Sequence, residues 1–180
     1  QHWKTSGLID DDFHVAINLS ARQIYRQNLH QILQNCLKQH QLSPSSIQVE
    51  VTESLLIADE RKADQVLTQI QDLGIDVWLD DFGTGYSSLS YLQNLSFNGV
   101  KVDRSFIQNI DTNIKNQKLV HAVISLANSL NLDTVAEGIE TQEEADIAIE
   151  LGCHIGQGYL FAKPMPANEL ETSWLENRNV

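Results

Sequence analysis

Six short apolar runs, separated by segments of helical spacing, constrain this chain more than any other feature. The runs are 13–19 (FHVAINL), 47–52 (IQVEVT), 75–79 (IDVWL), 99–103 (GVKVD), 132–137 (LDTVAE) and 154–159 (HIGQGY), all of strand length. Between them, residues 29–37 carry apolar side chains at 29, 32, 33 and 37. A helix capped by Asp59 carries them at 63, 66, 67, 70 and 73 and closes at Gly74. A short helix is predicted over 89–95 and a strongly apolar one over 119–130. Thr141 with Glu144 forms a capping box for the next, and a last short helix follows Pro164-Met165-Pro166. Residues 1–11 read as the end of a helix stopped by Gly7. Alternation of this kind specifies a parallel sheet covered by helices.

The polar residues Asn18, Glu50, Asp80, Asp81, Lys101, Glu137 and Gln157 fall within or at the ends of these strands. A TIM-type (β/α)8 barrel gathers such residues on its C-terminal face. An open doubly wound sheet uses fewer strand ends, and no GxGxxG turn supports it. The expected fold is therefore an α/β barrel forming a single domain over 1–180. Six of eight strand–helix units are visible, and about 250 residues is typical of the complete fold, so the barrel is expected to lack its N-terminal strands. Two unpaired edges would follow, at 13–19 and 154–159, leaving the isolated chain inactive or nearly so, and either associated through its open side or completed by residues of a longer parent.

At 180 residues, 42% of them hydrophobic, the chain can bury one sizeable core. A net charge of -12 leaves no basic stripe for a DNA or RNA duplex or an anionic membrane. Cys36 and Cys153 have no CxxC spacing and read as buried, reduced thiols. No apolar run approaches a membrane span and none reads as a signal peptide, so the expected location is cytoplasmic, with a membrane tether open to a longer parent. The histidines show no HxxxH or HD pairing, which argues against a histidine-rich phosphodiesterase site.

Asp80 and Asp81 close the third run, with glycines at 83 and 85 beyond them. Side chains alternate along a strand, so adjacent aspartates reach one site only where the strand hands over to a loop. Carboxylates in contact repel unless a cation lies between them. Two readings meet this pattern: a divalent-metal site at a strand end, or a helix N-cap beside a solvated turn residue. Glu50 lies in an otherwise apolar run, where burying it unpaired is costly, which favours a functional role. Lys101 between Val100 and Val102 faces the barrel or, in the neutral reading, solvent. Asn18 also reads as a helix cap, and Glu137 as a strand-terminal carboxylate paired with a lysine.

Six motifs in order then carry a family resemblance. Asn18-Leu-Ser-Ala-Arg-Gln23, Glu50-Val-Thr-Glu53-Ser, Asp80-Asp-Phe-Gly-Thr-Gly-Tyr-Ser-Ser88, Lys101-Val-Asp-Arg104-Ser-Phe, Ala136-Glu-Gly-Ile-Glu140-Thr and Gln157-Gly-Tyr-Leu-Phe161 resemble the EAL domain of cyclic di-GMP phosphodiesterases. The Glu-Ala-Leu strand that names the family, and supplies a metal-binding glutamate, is not in this sequence. The resemblance implies a two-metal site for Mg²⁺ or Mn²⁺ held by Asn18, Glu50, Asp80, Asp81 and Glu137, with Asp80 bridging the ions. It implies that Lys101 orients or activates the attacking water, that Glu137 belongs to the catalytic set, and that Gln157 helps position water and substrate. Asp103, Gln157, Phe161 and Pro164 would line the substrate pocket. Glu53 would hold the loop after Asp81, which contains Gly83 and Gly85 and couples the metal site to a homodimer contact, and Glu140 would stand behind Glu137.

The activity so implied is metal-dependent hydrolysis of cyclic di-GMP to linear pGpG, with a sensory or GGDEF-type domain upstream in the parent chain. A non-catalytic cyclic di-GMP receptor is the alternative. From the residues alone, Lys101 also reads as the Schiff-base lysine of an aldolase-like barrel. The Asp81-Phe-Gly83 triplet has no HRD-type or Gly-rich phosphate loop before it, which rules out a kinase.

Overall fold

The computed structural model describes residues 1–25, 28–83, 92 and 95–175. Six parallel strands form one sheet in chain order: β1 (Val15–Asn18), β2 (Ile47–Thr52), β3 (Asp76–Phe82), β4 (Gly99–Val102), β5 (Asp133–Glu137) and β6 (Ile155–Gln157). The sheet curls into an incomplete barrel, the expected architecture. In register, Asn18 stands opposite Glu50, Glu50 opposite Trp78, Lys101 opposite Val135, and Glu137 opposite Gln157. The two outer strands carry exposed apolar side chains, Val15 and Ile17 on β1 and Ile155 on β6. No described helix is long and apolar enough to cross a membrane.

Alternation along each strand divides the residues between two faces. Val49, Val51, Val77, Leu79 and Val100 point outward and pack in one core with Leu37 of α3 (Leu29–His40) and Leu67 and Ile70 of α5 (Glu60–Gln71). Val102 and Ala136 join a second core with Ile107, Val120, Ile124 and Ala148. These come from α6 (Arg104–Ile107), α7 (Ile114–Ser129) and α8 (Gln142–Glu150). The residues between them in sequence, Glu50, Trp78, Lys101 and Glu137, are left on the inner face. Gly99 is required there, because a Cβ on it would sit 2.5 Å from the Trp78 ring.

Several boundaries differ from the sequence expectation, each for a local reason. The strands at 13–19 and 154–159 shorten to four and three residues. The helix expected at 119–130 begins at Ile114, because the Asn113 side chain accepts hydrogen bonds from the Lys115 and Asn116 amides; such a cap is worth about 1 kcal/mol. The preceding helix end at 1–11 is confined to α1 (His2–Thr5). Short helices α2 (Ala21–Ile24) and α4 (Glu53–Ala58) follow β1 and β2, too brief to show periodicity. The helix expected over 89–95 falls largely outside the described residues. Cys153 is buried as expected, but Cys36 is exposed. Leu29, Leu33 and Leu37 turn toward the core, whereas Ile32 and Cys36, one turn apart, share the outward flank.

Candidate metal centre

The two aspartates of β3 reach one site by a different device from the expected strand end. The β3–β4 pairing shifts register between Leu79 and Phe82, and Asp81 has a left-handed backbone, φ 56°. An aspartate tolerates that conformation better than most side chains. Such a bulge re-aims a side chain that strict alternation would send to the other face. The strand continues to Phe82, yet Asp80, Asp81 and Glu137 each bring a carboxylate oxygen within 4.8 Å of the others.

Lys101 stands in the middle of the same inner face. Its Nζ lies 2.6 Å from Glu137 Oε1, 2.9 Å from Glu50 Oε1 and 3.2 Å from Asp80 Oδ1, with the lysine side chain only 4% exposed. Burial disfavours its charge, but the hydrogen bonds it donates to Glu137 and Glu50 outweigh this and hold its pKa above the ordinary lysine value. Burial pushes the Glu137 carboxyl up, against the opposing pull of Lys101. Burial likewise raises Asp81, helped by the neighbouring charges of Asp80 and Asp103. Asp80 Oδ1 is buried and accepts no hydrogen bond among the described residues, with the Lys101 ammonium at ion-pair distance. The inward placement of Lys101 agrees with the flanking valines, and a lysine held protonated is no Schiff-base nucleophile.

The remaining sequence candidates occupy three settings. Asn18 ends β1 beside Glu50 in register, and Gln157 ends β6 beside Glu137; both are exposed at the rim. Phe161 and Pro164 are exposed beyond β6. Asp103 caps α6, accepting from the Ser105 amide at 2.9 Å. Glu53 is buried, and its Oε1 accepts from the Gly83 amide at 3.0 Å, a direct tie between α4 and the end of β3. Gly85 lies outside the described residues. Glu140 is exposed and engaged 2.6 Å from Arg104 Nη2, on the flank of the Glu137 turn. Arg104 is the partner that sequence reasoning left without a role. Its stem crosses Gly138, where a Cβ would come within 2.4 Å of it, and only the glycine hinted at such an approach.

The donor set suits a hard divalent cation. Among the described residues it offers three convergent carboxylates, with one buried oxygen that accepts no hydrogen bond from them. Fold and site together define a barrel-type α/β domain with an acidic, cation-accepting centre at the strand ends.

The chain belongs to the EAL domain family, whose profile matches residues 1–164. It is 40% identical over 169 residues to the cyclic di-GMP phosphodiesterase PdeR of Escherichia coli, covering 94% of this chain and 25% of that protein. It is similarly 40% identical over 162 residues to MucR of Pseudomonas aeruginosa, a bifunctional diguanylate cyclase/cyclic di-GMP phosphodiesterase, covering 90% of this chain and 24% of that protein. The structure of the PaMucR phosphodiesterase in complex with c-di-GMP superposes with a TM-score of 0.87 at 39% identity, over 94% of this chain and 68% of that one. A manganese/cy-diGMP complex of Klebsiella pneumoniae BlrP1 superposes with a TM-score of 0.81 at 30% identity, over 89% and 41%. The chain thus spans about a quarter of the length of the curated relatives it matches.

Proposed function

We propose that the protein carrying this chain hydrolyses cyclic di-GMP to linear pGpG in the cytoplasm, using Mg²⁺ or Mn²⁺. The observation that carries this reading is the convergence of Asp80, Asp81 and Glu137 within 4.8 Å, in a family whose characterised members include PdeR and MucR. Asp80, Asp81 and Glu137 would hold the cations, with Glu50 and Asn18 at the adjoining strand ends. Bound there, they supply Lewis-acid activation of a water and neutralise charge on the phosphoryl oxygens.

The chain's own residues do the rest. Hydrolysis forms a bond from the water oxygen to phosphorus and breaks the bond from phosphorus to the ribose 3′-oxygen. Lys101 keeps its proton, so it acts by donating hydrogen bonds, fixing Glu50 and Glu137 and orienting the incoming oxygen. Glu137, held 2.6 Å from Lys101, belongs to the catalytic set as the carboxylate shared between that lysine and a cation. Gln157 extends the rim beside Glu137, where it positions water and substrate. Asp103, Phe161 and Pro164 frame the approach of the nucleotide. The domain works as one module of a larger homodimeric protein, with an input or GGDEF-type domain upstream.

Chromatography of nucleotides after incubating the full-length protein with cyclic di-GMP and Mn²⁺ tests the reading. Linear pGpG should form and should disappear when EDTA is added. Tight binding of cyclic di-GMP without turnover would make the protein a receptor instead.

A further inference from the structure

Glu144 opens α8 as the capping-box glutamate, a local role visible in the sequence. The structure gives it a second one. Its carboxylate is buried, 4% exposed. Oε2 accepts from the Glu140 amide at 2.8 Å and from the Thr141 amide at 3.3 Å, in the turn that follows Glu137. Oε1 reaches 35 residues back and accepts from the Asn109 amide at 2.8 Å. Asn109, in a left-handed conformation, closes the turn after α6, and α6 is launched by Asp103, two residues after Lys101. One carboxylate therefore joins the turn behind β4 to the turn behind β5.

Other contacts show why this link matters. On the β6 side the Glu137 turn is tied through the backbone: the Ile139 amide donates to Gln157 O and the Leu160 amide to Ile139 O. A Cβ on Gly158 would sit 2.1 Å from that same carbonyl. On the β4 side, beyond the strand ladder and the Lys101–Glu137 pair, the links among the described residues are the Glu144 bonds and the Arg104–Glu140 pair. That pair is exposed, with side chains 51% and 39% accessible, and exposed ion pairs contribute little. Charge-assisted bonds from backbone amides to a buried carboxylate are the strong kind.

We infer that Glu144 is a positioning residue that locks the Lys101 turn to the Glu137 turn and so sets the spacing of the charged centre. This deepens the proposed phosphodiesterase reading and rests on it for its consequence in catalysis. The clamp itself stands on geometry alone.

The test uses the full-length protein with Glu144→Gln, which replaces one accepting oxygen by an NH2 group facing an amide donor. Amide hydrogen exchange should quicken about tenfold or more at Asn109 and at Glu140 together. Mn²⁺ affinity, read by electron paramagnetic resonance without nucleotide, should weaken about tenfold. Turnover should recover at saturating Mn²⁺. Glu144→Asp, too short to serve both turns, keeps the question open to measurement if the glutamine variant does not fold. It should free Asn109 while holding Thr141. Ile124→Val, a core change beneath the same helices, controls for a general loss of stability and should leave Mn²⁺ affinity unaltered. Unchanged exchange at Asn109, or a Mn²⁺ affinity no weaker than that of Ile124→Val, overturns the inference. If the wild-type protein hydrolyses no cyclic di-GMP, the functional reading fails while the exchange data still decide the clamp.

Discussion

Lys101 Nζ and Glu137 Oε1 meet at 2.6 Å across the neighbouring strands β4 and β5. The same ammonium reaches Glu50 on β2 and Asp80 on β3, so one cation ties four strands on the inner face. Removing one partner from a buried charge cluster is costlier than the cluster's net worth, because the others are left uncompensated. Lys101→Met should therefore lower the stability of the metal-free protein by about 3–5 kcal/mol. Mn²⁺ should restore much of it. Urea denaturation with and without the ion reads both quantities; a metal-free variant as stable as wild type would show that the cluster needs no cation.

Asp80 and Glu140 should separate in mutation. Asp80 belongs to the convergent carboxylates, whereas Glu140 is paired with Arg104 on the flank. Asp80→Asn should cost far more than the roughly 10–100-fold typical of a supporting group, and Glu140→Gln no more than about tenfold. Steady-state rates at saturating Mn²⁺ give the comparison, and equal losses would remove Asp80 from the metal site.

The raised pKa values of Glu137 and Asp81 fix the direction of a pH effect. The folded protein binds these protons more tightly than the unfolded chain does. Their contribution to stability is thus largest below the ordinary carboxylate pKa and is lost as pH rises through the raised folded values. Lys101 acts in the alkaline range: its contribution holds below the ordinary lysine pKa and is lost as pH rises above it. A metal needs the carboxylates ionised, so its binding releases protons. The gain in melting temperature on adding Mn²⁺ should be small at about pH 5 and larger at about pH 8. A gain independent of pH would place the ion elsewhere.

Glu53 is predicted to act through Gly83. Its Oε1 holds the Gly83 amide two residues beyond Asp81, at the exit of the bulge that aims the aspartates. Glu53→Ala should reduce turnover and Mn²⁺ affinity about tenfold while the domain stays folded. Circular dichroism, metal titration and sedimentation together check this, and unchanged kinetics and dimerisation would sever the proposed coupling.

Much of this was legible in the residues because it is periodic. Outward aliphatic residues at 49, 51, 77, 79, 100 and 102 mark strands, and the polar residues interrupting them mark the inner face. Tertiary detail was not legible. Strict alternation sends Asp80 and Asp81 to opposite faces, and nothing local announces the bulge that brings them together. Glu144 shows its capping box in the sequence, but its bond to Asn109 exists only once β4 and β5 lie side by side. The start of α7 was hidden because residues 114–118 are largely polar, leaving Asn113 as the sole sign.

The most direct measurement is hydrolysis in water enriched in heavy oxygen. The full-length protein would be incubated with cyclic di-GMP and Mn²⁺, and the nucleotides weighed by mass spectrometry. Linear pGpG carrying a single heavy oxygen on its terminal phosphate is expected, and no such product from Asp80→Asn. Cyclic di-GMP recovered intact from a folded, metal-loaded protein would contradict it.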